Sequence, residues 1–175
     1  MNWENKKEVQ KGNIGEGIGR KLLIKWGYII YKVVNDGPHI IDFFAHKRDK
    51  DLICLDVKTK RRLARYPRTG FNHNNYLEYI KLQEQHNLRV FILFVDDFEC
   101  YAYGEWLDKL GEGYIMDNYE KVIVWDLDKM KIIRELTEDE VVELTKYTTE
   151  NWNYSNTNKF FGELSDEEKD ILKNW

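Results

Sequence analysis

Two short apolar runs, each broken by a single aspartate, constrain this chain more than any other feature. They are Ile40-Ile41-Asp42-Phe43-Phe44 and Ile53-Cys54-Leu55-Asp56-Val57. Between them lies Lys47-Arg48-Asp49-Lys50-Asp51, a polar stretch of the kind that closes a hairpin. If that loop is symmetric about Asp49, residues equidistant from it pair, and Asp42 stands opposite Asp56. Opposed residues share a face of the sheet, with Cβ atoms roughly 4.5–5.5 Å apart. Lys58 follows on the same face, because side chains alternate along a strand. Aspartate is depleted in strands, and like charges directly opposed destabilise a sheet. A hard divalent cation resolves that repulsion, with Asp42, Asp56, a backbone carbonyl and waters as oxygen ligands. An ammonium beside such a site suits activation of a water and neutralisation of charge on a phosphoryl group. The other reading of the same residues is an ordinary exposed Asp56–Lys58 pair, with Asp42 near a strand end.

The periodicity around this hairpin predicts an α/β order. Ile14, Ile18, Leu22, Leu23 and Trp26 recur at helical spacing over 14–26, and Gly27 ends the run. Strands follow over 28–34, 39–45 and 52–59. A basic segment covers 60–72, and an amphipathic helix spans 75–86 through Tyr76, Tyr79, Ile80 and Leu82. The nearly all-apolar stretch 89–95 reads as a strand buried on both faces. Further strands are expected over 101–103, 122–127 and 131–136, with a short helix over 105–110. Thr137-Glu138-Asp139-Glu140 has a capping-box pattern that opens a helix to about Tyr147, and Ser165-Asp166-Glu167-Glu168 repeats it before a last helix. The order predicts a mixed sheet flanked by helices. We expect two regions: a core over 1–136, and an acidic helical extension over 137–175. Trp152, Tyr154, Phe160, Phe161, Leu172 and Trp175 would dock that extension on the core or on a second copy.

Charge divides the chain in the same way. Residues 1–95 carry 18 Lys and Arg against 10 Asp and Glu, whereas residues 96–175 carry 9 against 21. The front half suits a phosphate backbone and the back half repels one. The densest cationic stretch, Lys60, Arg61, Arg62, Arg65 and Arg68, has no acidic residue between 57 and 77, and Tyr66, Phe71, His73 and several asparagines are interleaved. Guanidinium groups suit phosphate oxygens, and amides and aromatics reach sugars or unstacked bases. His73 falls in this stretch as a candidate substrate contact, and the other histidines read as structural. The glycines around Glu16 form neither a P-loop nor a dinucleotide fingerprint, having no Gly-Lys-Ser/Thr ending and no preceding strand. They would instead let the first helix approach the sheet or a substrate. No apolar run reaches the ~18–20 residues of a membrane span, and the first residues hold no apolar leader. With Cys54 and Cys100 forming no disulfide framework, a cytoplasmic protein is expected.

Ile14-Gly15-Glu16, Leu22-Leu23, Trp26-Gly27-Tyr28, Gly37-Pro38-His39-Ile40-Ile41-Asp42 and Asp56-Val57-Lys58, in that order, resemble the PD-(D/E)XK nuclease superfamily, in its Holliday-junction-resolvase-like or phage-type branch. The resemblance covers roughly residues 12–103. It implies a restriction-endonuclease-like core and a Mg²⁺- or Mn²⁺-dependent deoxyribonuclease. Asp42, Asp56 and the Val57 carbonyl would hold the metal, Lys58 would activate the attacking water, and Glu16 would reach the site from the first helix. Tyr79, and with it Tyr76, would border the site. The chain departs from the commoner pattern in having no literal Pro-Asp pair and in offering Asp56 where a glutamate is more usual. DNA, duplex or branched, is the implied partner, with RNA open, and a homodimer would suit the cutting of two strands. Two other functions fit the same residues. One is a non-catalytic nucleic-acid-binding module on this fold, and the other is an interaction protein using its acidic aromatic tail.

Overall fold

The computed structural model describes residues 6–33, 39–63, 66–117 and 121–148. Its elements in chain order are α1 (Lys7–Lys25), β1 (Ile29–Lys32), β2 (Phe43–His46), β3 (Ile53–Thr59), β4 (Arg68–Asn72), α2 (His73–His86), β5 (Arg89–Asp96), β6 (Tyr101–Trp106), β7 (Tyr114–Asp117), β8 (Lys121–Asp126), β9 (Lys131–Glu135) and α3 (Glu138–Thr145). A six-stranded sheet has the order β1-β2-β3-β5-β6-β9, and a three-stranded sheet has the order β4-β8-β7. Within the larger sheet β3 and β5 are parallel and the other pairs are antiparallel. The mixed sheet flanked by helices is therefore present.

The hairpin register is the one that symmetry about Asp49 predicts: Phe43 pairs Leu55, Phe44 pairs Cys54 and Ala45 pairs Ile53. Asp49 takes a left-handed conformation, φ 59°, to close the turn. Alternation along β3 then feeds two cores. Ile53, Leu55 and Val57 pack with Ile18, Leu22 and Leu23 of α1 on one face. Cys54 packs on the other face with Phe71 of β4, Tyr79 of α2 and Trp125 of β8. The molecule is thus layered, with α1 and α3 on one side of the main sheet and α2 with the small sheet on the other.

Two glycines set how closely α1 lies on β3. A Cβ at Gly15 would stand 1.7 Å from the Thr59 hydroxyl oxygen and 3.0 Å from Thr59 Cβ. A Cβ at Gly19 would stand 2.7 Å from Val57 Cγ2. Gly17 points away, with nothing within 4 Å of its Cβ position. The helix also begins earlier than its apolar stripe suggests, at Lys7, because its first turns are polar surface.

The structure corrects the sequence reading in several places. The segment 60–72 is not all loop: Arg68–Asn72 is β4, paired to β8, with Gly70 where a side chain would strike the Ile123 carbonyl oxygen at 2.0 Å. Residues 105–110 are not a helix. Glu105 and Trp106 finish β6, paired to β5, and a single 3₁₀ turn covers Leu107–Lys109. The strand expected over 39–45 is regular only from Phe43, and β7 was not foreseen. The capping box at Thr137 forms as expected, with the Glu140 N–H donating to Thr137 Oγ1 and the Thr137 N–H donating to Glu140 Oε2. Glu140 is buried against Arg134, and Leu144 enters the core on the α1 side. Thr148 donates to Asp97 Oδ2 at 2.7 Å, an oxygen that also accepts from Lys11. The rest of the extension, 149–175, with its aromatic residues and last helix, lies outside the described residues, as does Arg65. No helix among the described residues is long and apolar enough to cross a membrane.

The glycine geometry gives a direct test by thermal denaturation. Gly15→Ala should lower stability by ~1–3 kcal/mol through overpacking against β3. Gly17→Ala, in the same helix but facing open space, should raise it by ~0.5–1 kcal/mol through helix propensity.

Candidate active site

Asp42 sits one residue before β2 becomes regular. Its N–H donates to the Leu55 carbonyl at 3.2 Å, and its Oδ2 accepts from the Val57 N–H at 2.7 Å. That second bond ties its carboxylate to the backbone immediately after Asp56. Ile41 lies in the core on the α2 side whereas Phe43 lies in the core on the α1 side, so the chain is irregular here. Asp42 can consequently be approached from both faces.

From the α1 side come Glu16 and, from the loop before β2, His39. One ligand atom from each of Glu16, His39 and Asp42 lies within 4.8 Å of the others. His39 Nε2 is 3.5 Å from Asp42 Oδ1, and Lys32 Nζ is 3.0 Å from Glu16 Oε2. From the α2 side come Asp56 and Lys58. Asp56 is 2% exposed, and its Oδ2 lies 2.7 Å from Lys58 Nζ. The ammonium sits 5.7 Å from the ring centres of both Phe71 and Tyr79, so cation–π contact and the ion pair hold it in place. The Tyr79 hydroxyl is fully buried beside Asp56. Burial and then the Asp56 charge push its pKa up, so it stays protonated.

Asp42 is the electrostatic focus. Burial raises its pKa from 3.8 to about 7, and the neighbouring charges of Asp56 and Glu16 push the same way, against the Val57 N–H and Lys58. Two carboxylates therefore compete for ionisation in one buried spot, the arrangement that a cation relieves. The oxygen-rich donor set fits a hard divalent ion. Among the described residues the ligand atoms grouped closely enough to share an ion are those of Glu16, His39 and Asp42, while Asp56 couples to Asp42 by charge and is engaged by Lys58.

The cationic stretch after β3 is dispersed. Lys60 follows the strand end, its N–H bound to the Val95 carbonyl, and burial with the Lys58 charge lowers its pKa to about 8. Arg61 lies over the exposed Phe98 ring. Arg62 is paired with Glu99 and Arg68 with Asp126, and Arg68 is also stacked between Tyr66 and Tyr114. His73 opens α2 and stacks on Tyr76. Glu16 thus meets Asp42 and His39, and Asp56 meets Lys58 and Tyr79 with Lys60 nearby, the two groups coupled through the charges of Asp42 and Asp56, while Arg62 and Arg68 already have acidic partners. The sequence presents His39 as a structural histidine and gives Lys32 no distinguishing feature, yet both lie at the cluster. The signal for His39 was available in its position three residues before Asp42. Lys32 had none, because its neighbour Glu16 is a contact across two elements.

No protein-family model matches the chain, and no curated protein matches it. Among solved structures, it is similar to Hjc from Archaeoglobus fulgidus, a Holliday junction resolvase from an archaeal hyperthermophile. The TM-score is 0.43 at 14% identity, over 68% of this chain and 91% of that one.

The raised Asp42 pKa makes stability depend on pH. Below 3.8 the carboxyl is protonated both folded and unfolded and contributes no difference. Between 3.8 and about 7 only the unfolded chain gives up the proton, so stability falls as pH rises, and the fall ends above about 7. Asp42→Asn keeps an acceptor for the Val57 N–H and removes the charge. In EDTA at mildly alkaline pH it should raise stability by ~1–3 kcal/mol, and the gain should vanish in acid. Denaturant melts across the pH range measure both effects.

Proposed function

We propose that this chain is a divalent-metal-dependent nuclease that hydrolyses phosphodiester bonds in DNA. The observation that carries this reading is the meeting of Asp42, Asp56 and Lys58 at one end of β2 and β3, where burial and mutual repulsion hold Asp42 in want of a cation. Asp42, Asp56 and the Val57 carbonyl hold Mg²⁺ or Mn²⁺ in this reading, and a bound ion of that kind supplies Lewis-acid neutralisation at a phosphoryl oxygen.

The chain's own groups do the rest. Lys58 is fixed by Asp56, Phe71 and Tyr79, so its ammonium is presented to the scissile phosphate and to the attacking water without reorganisation. Tyr79, kept protonated, is a neutral neighbour that adds no further negative charge beside Asp56. Lys60 adds a second cation next to Lys58 for an adjoining phosphate. Glu16 reaches the site from α1 and takes part in positioning there, opposed by Lys32.

Cleavage of plasmid and branched DNA with Mg²⁺ or Mn²⁺, and its arrest by EDTA, tests the activity. Lys58→Met preserves the stem between Phe71 and Tyr79 and should reduce the cleavage rate by about 10²–10³-fold or more with DNA binding retained. Full activity in Lys58→Met would overturn the role given to the lysine. The melting temperature should rise with Mg²⁺ in the wild type and not in Asp56→Asn. The Mg²⁺ effect should grow as pH passes about 7, where Asp42 gives up its proton.

A further inference from the structure

A groove of about 660 Å³ opens beside Glu16 and runs along α1. Its two walls follow two different periods. Glu16, Arg20 and Ile24 come from successive turns of the helix, and Tyr28, Ile30 and Lys32 are alternate residues along β1 and its approach. Gly17 leaves the helix wall low, since no atom stands within 4 Å of its Cβ position. From Asn13 to Ile24 the helix wall is about 16 Å long, room for several consecutive phosphates of one strand.

The chemistry changes along the groove. At one end Glu16 belongs to the carboxylate cluster with Asp42. Next come two cations: Lys32, 59% exposed and ion-paired with Glu16 at 3.0 Å, and Arg20, exposed on the helix with no carboxylate partner among the described residues. At the far end Tyr28 also borders a second cavity of about 420 Å³, whose walls include Trp26, Phe91 and Trp106, with Lys47 reaching over the Tyr28 ring. Carboxylates, then cations, then the Tyr28 ring is an order that a polyanion carrying flat apolar bases matches. A paired base keeps its faces inside the stack, whereas an unpaired base can lay one on an aromatic ring.

We infer that the α1–β1 groove binds an unpaired DNA strand leading into the candidate active site, with phosphates on Arg20 and Lys32 and a base against Tyr28. This inference rests on the nuclease reading for its choice of ligand, and it assigns to that site a substrate with a single-stranded portion. A free single strand and the unpaired arm of a branched duplex present the same chemistry to the groove.

Fluorescence anisotropy in EDTA tests it with a labelled oligothymidylate, a blunt duplex of equal length and a forked duplex with oligothymidylate arms. The wild type should hold the single strand or the fork at least about fivefold tighter than the blunt duplex. Preference for the fork alone would identify the branched source, and equal binding of both would identify the strand itself. Arg20→Ala with Lys32→Ala should weaken binding about tenfold or more and reduce the salt slope by about 1.4, the value for two phosphates of a single strand. Arg20→Lys should restore much of the loss. Tyr28→Ala should cost about five- to tenfold on the single strand and nothing on the duplex. Gly17→Trp should block the groove with its charges intact. Tighter or equal binding of the blunt duplex, or wild-type affinity in the Arg20/Lys32 and Tyr28 variants, overturns the assignment. The binding pattern without cleavage of any substrate would sink the nuclease reading alone. Cleavage that is indifferent to the groove variants would sink this inference alone.

Discussion

The hydrogen bond from the Val57 N–H to Asp42 Oδ2 is the joint on which the site turns. It ties the side chain at the irregular start of β2 to the backbone of β3, immediately beside Asp56. The bond exists because the hairpin register puts Phe43 opposite Leu55. A slip of one residue in that pairing would carry every side chain of β2 to the opposite face and separate the two aspartates. The register is itself secured from both sides, since Leu55 and Val57 are locked under α1 and Cys54 is locked under α2 and the small sheet. Packing of two separate cores thus fixes the position of one carboxylate pair.

Placement at the end of the sheet lets both layers contribute. Lys58 and Tyr79 arrive with the α2 layer and Glu16 with the α1 layer, and a residue in the middle of a regular strand would meet only one of these sets. Gly15 and Gly19 matter here beyond packing. By letting α1 lie against Thr59 and Val57, they bring the turn that carries Glu16 level with the strand ends. The electrostatic cost is concentrated on Asp42, which burial and two acidic neighbours hold up to about 7 while Lys58 is engaged by Asp56.

Much of this was legible in the sequence, for identifiable reasons. A short polar loop between two apolar runs leaves few registers open, so the pairing of positions 43–45 with 53–55 follows from the sequence. The apolar 89–95 run announced the central strand, and Thr137 with Glu140 announced a helix start. What failed depended on distant partners. β4 carries arginine and glycine and looks like loop. It becomes a strand because β8 supplies its hydrogen bonds and the glycine admits close approach of the Ile123 carbonyl. Glu105 looked like the start of a helix, yet its carboxylate folds back to accept from the Trp106 N–H while the backbone pairs with Ile92 of β5. The place of His39 and Lys32 beside Asp42 and Glu16 is likewise a tertiary fact, invisible to local periodicity.

Charge along the chain proved a poor guide to charge at the site. The run from Lys60 to Arg68 reads as one basic patch, but Arg62 and Arg68 are matched by Glu99 and Asp126 from other elements. The cations beside Asp56 are Lys58 and Lys60, and they are unequal. Lys58 is held by Asp56 and two rings, whereas Lys60 is half-buried next to a like charge, which lowers its pKa to about 8. An approaching phosphate would oppose both causes of that lowering, replacing lost solvation and offsetting the charge of Lys58. In the nuclease reading, a phosphate placed against Lys60 would strengthen its ammonium, whereas Lys58 is already held by Asp56. The difference between the two lysines follows from which of them is ion-paired with the aspartate.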